Sequence, residues 1–223
     1  MTDSGFQIIC VASSNPGKIA ELQLGVRLWR EQSGFAGQWL VEPVAGYNQL
    51  PPCAENAPTF AGNARKKALH YSRFAHGLVL ADDSGLEVDA LRGAPGVKSR
   101  RFAGPGATDA DNNARLLLLL SGVPATKRTA RFVCELALAR AGELLAQFRG
   151  VAEGVILNSP RGAGGFGYDP LFLDQDSQKT FAEFTPEEKL ARSHRGRTLR
   201  AMLDWMGTQS SEQTKGAQAG GET

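Results

Sequence analysis

The sequence predicts an α/β domain, and two observations carry that prediction. Short apolar runs at 6–12, 39–44 and 78–86 alternate with stretches of helical apolar spacing at 16–29, 59–71 and 109–120. A long stretch at 129–140 alternates Phe132, Cys134, Leu136 and Leu138 on one side, turns at Ala141-Gly142 and returns from Glu143 to Ile156, which reads as a hairpin with a half-buried outgoing strand.

The first strand, Phe6 to Ala12, ends in Ser13-Ser14-Asn15-Pro16-Gly17-Lys18. Asn15 suits a helix cap and Pro16 the first helical position, and Ile19, Leu22, Val26 and Trp29 give the helix one apolar face. Lys18 then falls in the first turn, where the helix dipole disfavours a cation. It is either a solvated surface lysine or the partner of an anion docked on the helix amides. After a second strand at Trp39 to Val44, a proline-punctuated loop delivers Glu55 ahead of a helix capped by Thr59. Phe60, Ala64, Ala68 and Tyr71 form its apolar stripe. Asn63 and Lys67, four apart, share a face beside that stripe, while Arg65 and Lys66 point to solvent.

The run Leu78-Val79-Leu80-Ala81 stops on Asp82-Asp83-Ser84-Gly85. As a bare string this is a turn; as a strand end it presents two mutually repelling carboxylates that a cation or shared proton would relieve. The Gly- and Pro-rich stretch from Arg92 to Gly106 carries Lys98, Arg100 and Arg101, and is either a phosphate-touching loop or a solvated flap. Asp109 to Leu120 reads as a helix with Leu116, Leu117 and Leu120 in the core. Later, Gly162 to Pro170 sets four glycines around Phe166, with Tyr168 and Asp169 close behind. That is either a glycine-rich turn around a core phenylalanine or a site where Phe166 stacks on a flat ring and Asp169 accepts from a ring N–H. Thr185-Pro186-Glu187-Glu188 has capping-box spacing ahead of Lys189. Ser193-His194-Arg195-Gly196 opens a last helix, with Leu199, Met202, Leu203 and Met206 inside it and two potential cations at its start. From Thr208 the polar composition predicts disorder, so the expected organisation is one domain over 1–207 and a tail over 208–223.

Composition sets the outer bounds. The 223 residues are 42% hydrophobic and 22% charged, an ordinary globular balance, and a net charge of +2 argues against a nucleic-acid partner. Cys10, Cys53 and Cys134 have no metal-ligand spacing and read as reduced thiols. The N-terminus lacks a basic-then-apolar signal and the apolar run at 116–120 is too short for a bilayer, which predicts a cytoplasmic protein without a membrane partner.

Five blocks in fixed order, 13–18, Glu55 with the Asn63/Lys67 helix, 81–86 running into Gly93-Ala94-Pro95-Gly96-Val97, 164–170 and 193–196, resemble the inosine triphosphate pyrophosphatase, or Ham1, family across nearly the whole chain to about Met206. The resemblance implies a long twisted mixed sheet flanked by helices, two lobes around a central substrate cleft, and a homodimer. It implies that Ser13, Ser14, Asn15, Pro16, Gly17 and Lys18 hold a triphosphate with help from Lys67, and that Glu55 and Asp83 bind Mg²⁺. Asp83 would also accept a proton, and Ser84 would touch substrate. Phe166, Gly167, Tyr168, Asp169, Lys189, His194 and Arg195 would form a purine pocket. The implied reaction converts non-canonical purine nucleoside triphosphates, dITP/ITP and XTP, to monophosphate and pyrophosphate.

The chain departs from that pattern at Ser13-Ser14 and Gly62, and at Arg100, where relatives often have a small residue. A pyrimidine-directed Maf-type enzyme, a non-catalytic nucleotide sensor and a basic nucleic-acid-binding module are the competing readings. The first lacks its arginine after Ser-x-Ser, the second has no use for Glu55 and Asp83 together, and the third conflicts with the near-neutral charge.

Overall fold

The computed structural model describes residues 7–33 and 39–219, with side chains to Gln209. Strands and helices alternate through the first half of the chain: β1 Gln7–Val11, α1 Pro16–Ser33, β2 Trp39–Pro43, α2 Phe60–Tyr71 and β3 Leu78–Val88. Then follow α3 Asp109–Leu119, the hairpin β4 Thr129–Arg140 and β5 Glu143–Ile156, the short strands β6 Phe172–Asp174 and β7 Lys179–Thr180, and the helices α4 Pro186–Arg192 and α5 His194–Ala219. The sheet is mixed, in the order β2-β1-β3-β4-β5-β6-β7. β1 runs parallel to β2 and β3; every later pairing is antiparallel.

The caps form as the sequence requires. Asn15 Oδ1 accepts from Lys18 N at 3.1 Å, Thr59 Oγ1 from Gly62 N at 3.1 Å and Thr185 Oγ1 from Glu188 N at 3.2 Å. Ala141 and Gly142, at φ 51° and 85°, make the tight turn between β4 and β5.

Three core clusters meet along the long strands. Leu22, Val26 and Trp29 of α1 and Leu199, Met202 and Leu203 of α5 pack against Ile9, Leu80 and Leu136 on one face of the sheet. Ala64, Ala68 and Tyr71 of α2 pack against Val79, Ala81 and Ala137 on the other. Beyond them, Leu86, Val88, Phe132 and Ile156 close on Leu116, Leu120, Phe172 and Phe181 in a separate cluster. β3 therefore begins in one pair of cores and ends in another, and Asp82, Asp83 and Ser84 occupy the gap.

The structure corrects two expectations. The two aspartates lie in the middle of an eleven-residue strand, not at its end. What ends there is β1: its ladder on β3 closes at Val11–Leu80, and Ala12 N makes the last bond to Leu80 O at 2.8 Å. One edge of β3 is thus freed at Ala81. β4 is buried on both faces, not half-buried, because α5 covers one side and α2 the other. The last helix, α5, runs from His194 to Ala219. The stretch after Thr208 holds no proline and only Gly216 before that point, so nothing local interrupts the helix. Residues 220–223, like Phe6 of the expected first strand, lie outside the described residues.

Candidate active site

Alternation along β3 sends the two adjacent carboxylates to opposite faces of the sheet. Asp82 shares the side of Leu78, Leu80 and Ser84, toward α1 and α5. Asp83 shares the side of Val79 and Ala81, toward α2. Asp82 meets Lys18 and Arg195 there, whereas Asp83 on the opposite face makes no ion pair among the described residues.

Asp82 is the hub of a buried network. Its Oδ1 pairs with Lys18 Nζ and accepts from Ser84 Oγ at 2.9 Å; its Oδ2 accepts from Arg195 Nε at 2.9 Å and from Cys134 Sγ at 3.3 Å. Burial alone would raise this carboxyl, but Arg195 and Lys18 hold it well below the usual carboxylate range. Lys18 at the start of α1 is not simply solvated, because it pairs with Asp82 on the cleft wall. Arg195 also pairs with Glu21 and donates from Nη2 to Ser84 Oγ at 2.9 Å. Glu21 binds Lys189 Nζ as well, at 2.6 Å, and Lys189 bonds Asp169 Oδ2 at 2.5 Å. Although buried, Glu21 stays below its ordinary pKa because Arg195 and Lys189 flank it.

Glu21 escaped the sequence reading. Three residues after Lys18, it looks like an ordinary helical acid. Its position next to the buried Leu22 was the available signal, since a charge at the margin of an apolar face needs a partner.

Asp83 behaves differently. Burial pushes its carboxyl up to about 6, against the pull of Lys67, Lys18 and Asn63, and Glu55 pushes it further up. Its Oδ2 is buried with no hydrogen-bond partner. Lys67 bridges the region, binding Asp82 O at 3.0 Å and Glu55 Oε2 at 3.0 Å. An unpartnered carboxylate oxygen beside a second carboxylate fits a divalent cation. Among the described residues no group of three or more His, Cys, Asp and Glu gathers as a metal cage. Two carboxylates with the remaining positions left to water and phosphate is the ligand set Mg²⁺ prefers.

At the far end of the site, His194 stacks on Phe132 with centroids 4.7 Å apart and planes 10° apart. Burial, then the charge of Arg195, holds its imidazole well below the usual histidine range, so α5 opens on one cation rather than two. His194 Nδ1 is buried without a partner. Phe166 lies under Lys189, whose Nζ is 4.5 Å from the ring centroid. A Cβ on Gly17 would come 2.6 Å from Phe166 Cδ1, so only glycine lets the start of α1 meet that ring. Asp169 secures the loop, its Oδ2 accepting from Phe166 N at 2.8 Å. Tyr168 OH donates to Ser99 O at 2.8 Å, and its phenol is raised by burial.

These groups face one cleft of about 390 Å³. It brings together Ser13, Ser14, Asn15 and Lys18 from the first turn, Glu55 and Lys67, Asp83 and Ser84. Phe166, Gly167, Tyr168, Asp169, Lys189, His194 and Arg195 complete its wall. Of the residues expected from sequence, Pro16 and Gly17 do not line it; Gly17 supports it from behind through Phe166. Arg100, Arg101, Asp109 and Asn112 line it and were not among the expected site residues.

A mixed sheet with a polar break in its central strand, opening on a cleft rich in paired charges, defines an α/β protein of the kind seen in two solved structures. A HAM1 protein from Coxiella burnetii superposes with a TM-score of 0.75 at 38% identity, covering 92% of this chain and 99% of its own. A nucleoside-triphosphatase / dITP/XTP pyrophosphatase from Mycobacterium abscessus gives 0.64 at 41% identity, covering 90% and 100%. Residues 9–205 match the Ham1 family, and the chain belongs to it. A dITP/XTP pyrophosphatase of Exiguobacterium sp. is 49% identical over 195 residues, 87% of this chain and 94% of its own length. Another from Desulforamulus reducens is 45% identical over 196 residues, 88% and 94%.

Proposed function

We propose that this protein hydrolyses non-canonical purine nucleoside triphosphates, dITP/ITP and XTP, to the monophosphate and pyrophosphate. The observation that carries the proposal is Asp83, a carboxyl raised to about 6 with an unpartnered oxygen, in one cleft with a capped helix N-terminus and a neutral buried histidine. Family membership supplies the substrate class, since the curated relatives carry the name dITP/XTP pyrophosphatase.

The roles follow from the chemistry of the residues. The amides at the start of α1, with Lys18 and Lys67, bind phosphate oxygens. Glu55 and Asp83 would hold Mg²⁺, which when bound neutralises phosphate charge. Asp83 orients the attacking water and accepts its proton, a task suited to a group ionised at neutral pH yet more basic than an ordinary aspartate. The water oxygen bonds to the α-phosphorus as the α–β anhydride bond breaks, and pyrophosphate leaves. Phe166 stacks on the base, and N–H groups of Arg195 and His194 meet the 6-carbonyl of hypoxanthine or xanthine. Adenine puts an amino group there, so a donor faces a donor, and discrimination on the order of a hundredfold follows. Action in the cytoplasm as a homodimer, without a stable nucleic-acid partner, belongs to the same proposal. Among the described residues no helix is long and apolar enough to cross a membrane.

The test is pyrophosphate release from dITP, XTP, dGTP, ATP and dTTP, with and without Mg²⁺. Release from dITP and XTP only when Mg²⁺ is present is the expected result. No release from any purine triphosphate refutes the reading, and equal rates on ATP and dITP refute the selectivity argument.

A further inference from the structure

The basic turn beside β3 is a built surface whose arginines have no ion-pair partner among the described residues. Gly96–Arg101 forms a 3-10 turn held at several points. Ser99 Oγ accepts from Leu86 N at 2.9 Å and donates to Gly96 O at 2.6 Å. The buried Asn112 donates to Arg100 O at 3.1 Å and accepts from Ala103 N at 2.9 Å, clasping the end of the turn. A Cβ on Gly85 would overlap Ser99 Oγ and lie 2.8 Å from Gly96 O, so the turn rests directly on the strand two residues past Asp83. A fixed backbone therefore carries Arg100 and Arg101, both exposed and both on the cleft wall. Among the described residues neither makes an ion pair.

The other cleft cations are already matched. Lys18 has Asp82, Lys67 has Glu55, Lys189 has Glu21 and Asp169, and Arg195 has Glu21 and Asp82. Asp83 and Asp109 add further negative charge to the wall. A triphosphate brings about four negative charges at neutral pH, and the uncommitted positive charge of this cleft lies on the 96–101 turn. Guanidinium groups suit that ligand, because their fork of N–H donors matches two phosphate oxygens at once.

We propose that Arg100 and Arg101 bind the polyphosphate tail of the substrate, supplying the cleft's net attraction for a polyanion. This rests on the pyrophosphatase reading for its substrate but not for its test. The test measures binding of inorganic tripolyphosphate and of inosine monophosphate by calorimetry, to wild type, R100A, R101A, the double alanine variant and the double lysine variant. The double alanine variant weakens tripolyphosphate about tenfold or more, each single variant several-fold, and inosine monophosphate less than about twofold. The double lysine variant, which keeps the charge without the fork, falls between wild type and the double alanine variant, and the salt dependence of tripolyphosphate binding flattens when the arginines are replaced by alanine. With dITP as substrate, the double alanine variant raises KM much more than it lowers kcat.

Unchanged tripolyphosphate affinity overturns the proposal. So does an equal loss for the monophosphate, which would place the arginines on the nucleoside. Thermal melting separates these outcomes from misfolding, since both side chains are exposed and their removal leaves Tm nearly unchanged. If wild type binds tripolyphosphate through these arginines yet releases no pyrophosphate from any purine triphosphate, the enzymatic reading fails and the polyphosphate site stands.

Discussion

Asp82 and Asp83 are adjacent in sequence and both buried, but opposite in pairing and in the direction of their pKa shifts. Asp82 is buried, ionised and bonded to Lys18, Arg195, Ser84 and Cys134. Asp83 is buried, raised to about 6 and left with an open oxygen. A carboxyl whose folded pKa lies above its unfolded value near 3.8 stabilises the fold fully below that unfolded value, and the contribution is lost as pH rises through about 6. Asp83→Asn, melted in metal-free buffer, is therefore expected to be more stable than wild type by about 1–3 kcal/mol at pH 8, with no gain at pH 4. A destabilised variant at pH 8 would mean that Asp83 is satisfied rather than strained. Glu21→Gln makes a complementary prediction. It strips a charge shared by Lys189 and Arg195, so both turn from their present geometry, and KM for dITP rises about tenfold with a smaller change for inorganic tripolyphosphate. The sequence showed Asp83 as a candidate because an acid pair in an apolar run is conspicuous. It could not show the job of Asp82, because Lys18, Cys134 and Arg195 come to it from α1, β4 and α5.

At the scale of elements, the site exists because β3 outlasts β1. The parallel ladder ends at Leu80, the chain of β1 turns away into α1, and the freed edge is taken up by the 92–101 segment through Leu86 N to Ser99 Oγ and Val88 N to Ala94 O. Periodicity located β1, β3, β4, β5 and each of the longer helices. It misplaced the end of β3 because polar residues in a strand imitate a turn when nothing shows that one edge faces a cleft. It left β6 and β7 unseen because strands of three and two residues carry no period. The tight seating of the turn gives a prediction at this scale. Gly85→Ala places a methyl group into Ser99 Oγ and Gly96 O, and costs about 1–3 kcal/mol as the turn moves off β3. Chemical denaturation measures that loss. An unperturbed midpoint would show that the turn yields freely and is a poor platform for Arg100 and Arg101.

At the scale of the whole molecule, two bodies of apolar packing share one sheet, and the cleft opens where β3 passes between them. The helix start at 13–18 and the carboxylates approach it from one body, while Tyr168 and the glycine-rich loop approach from the other, so a nucleotide held as proposed would touch both. The order of the motifs along the chain conveyed the components of this arrangement, but not the pairing that leaves the inner cations neutralised and the outer arginines free. Everything proposed for the reaction turns on Asp83 as the working carboxylate of the cleft. The most direct measurement is single-turnover pyrophosphate release from dITP with Mg²⁺ by Asp83→Asn, alongside nucleotide binding by the same variant. Turnover is expected to be abolished while dITP still binds within about tenfold of wild type. Turnover near the wild-type rate would contradict it.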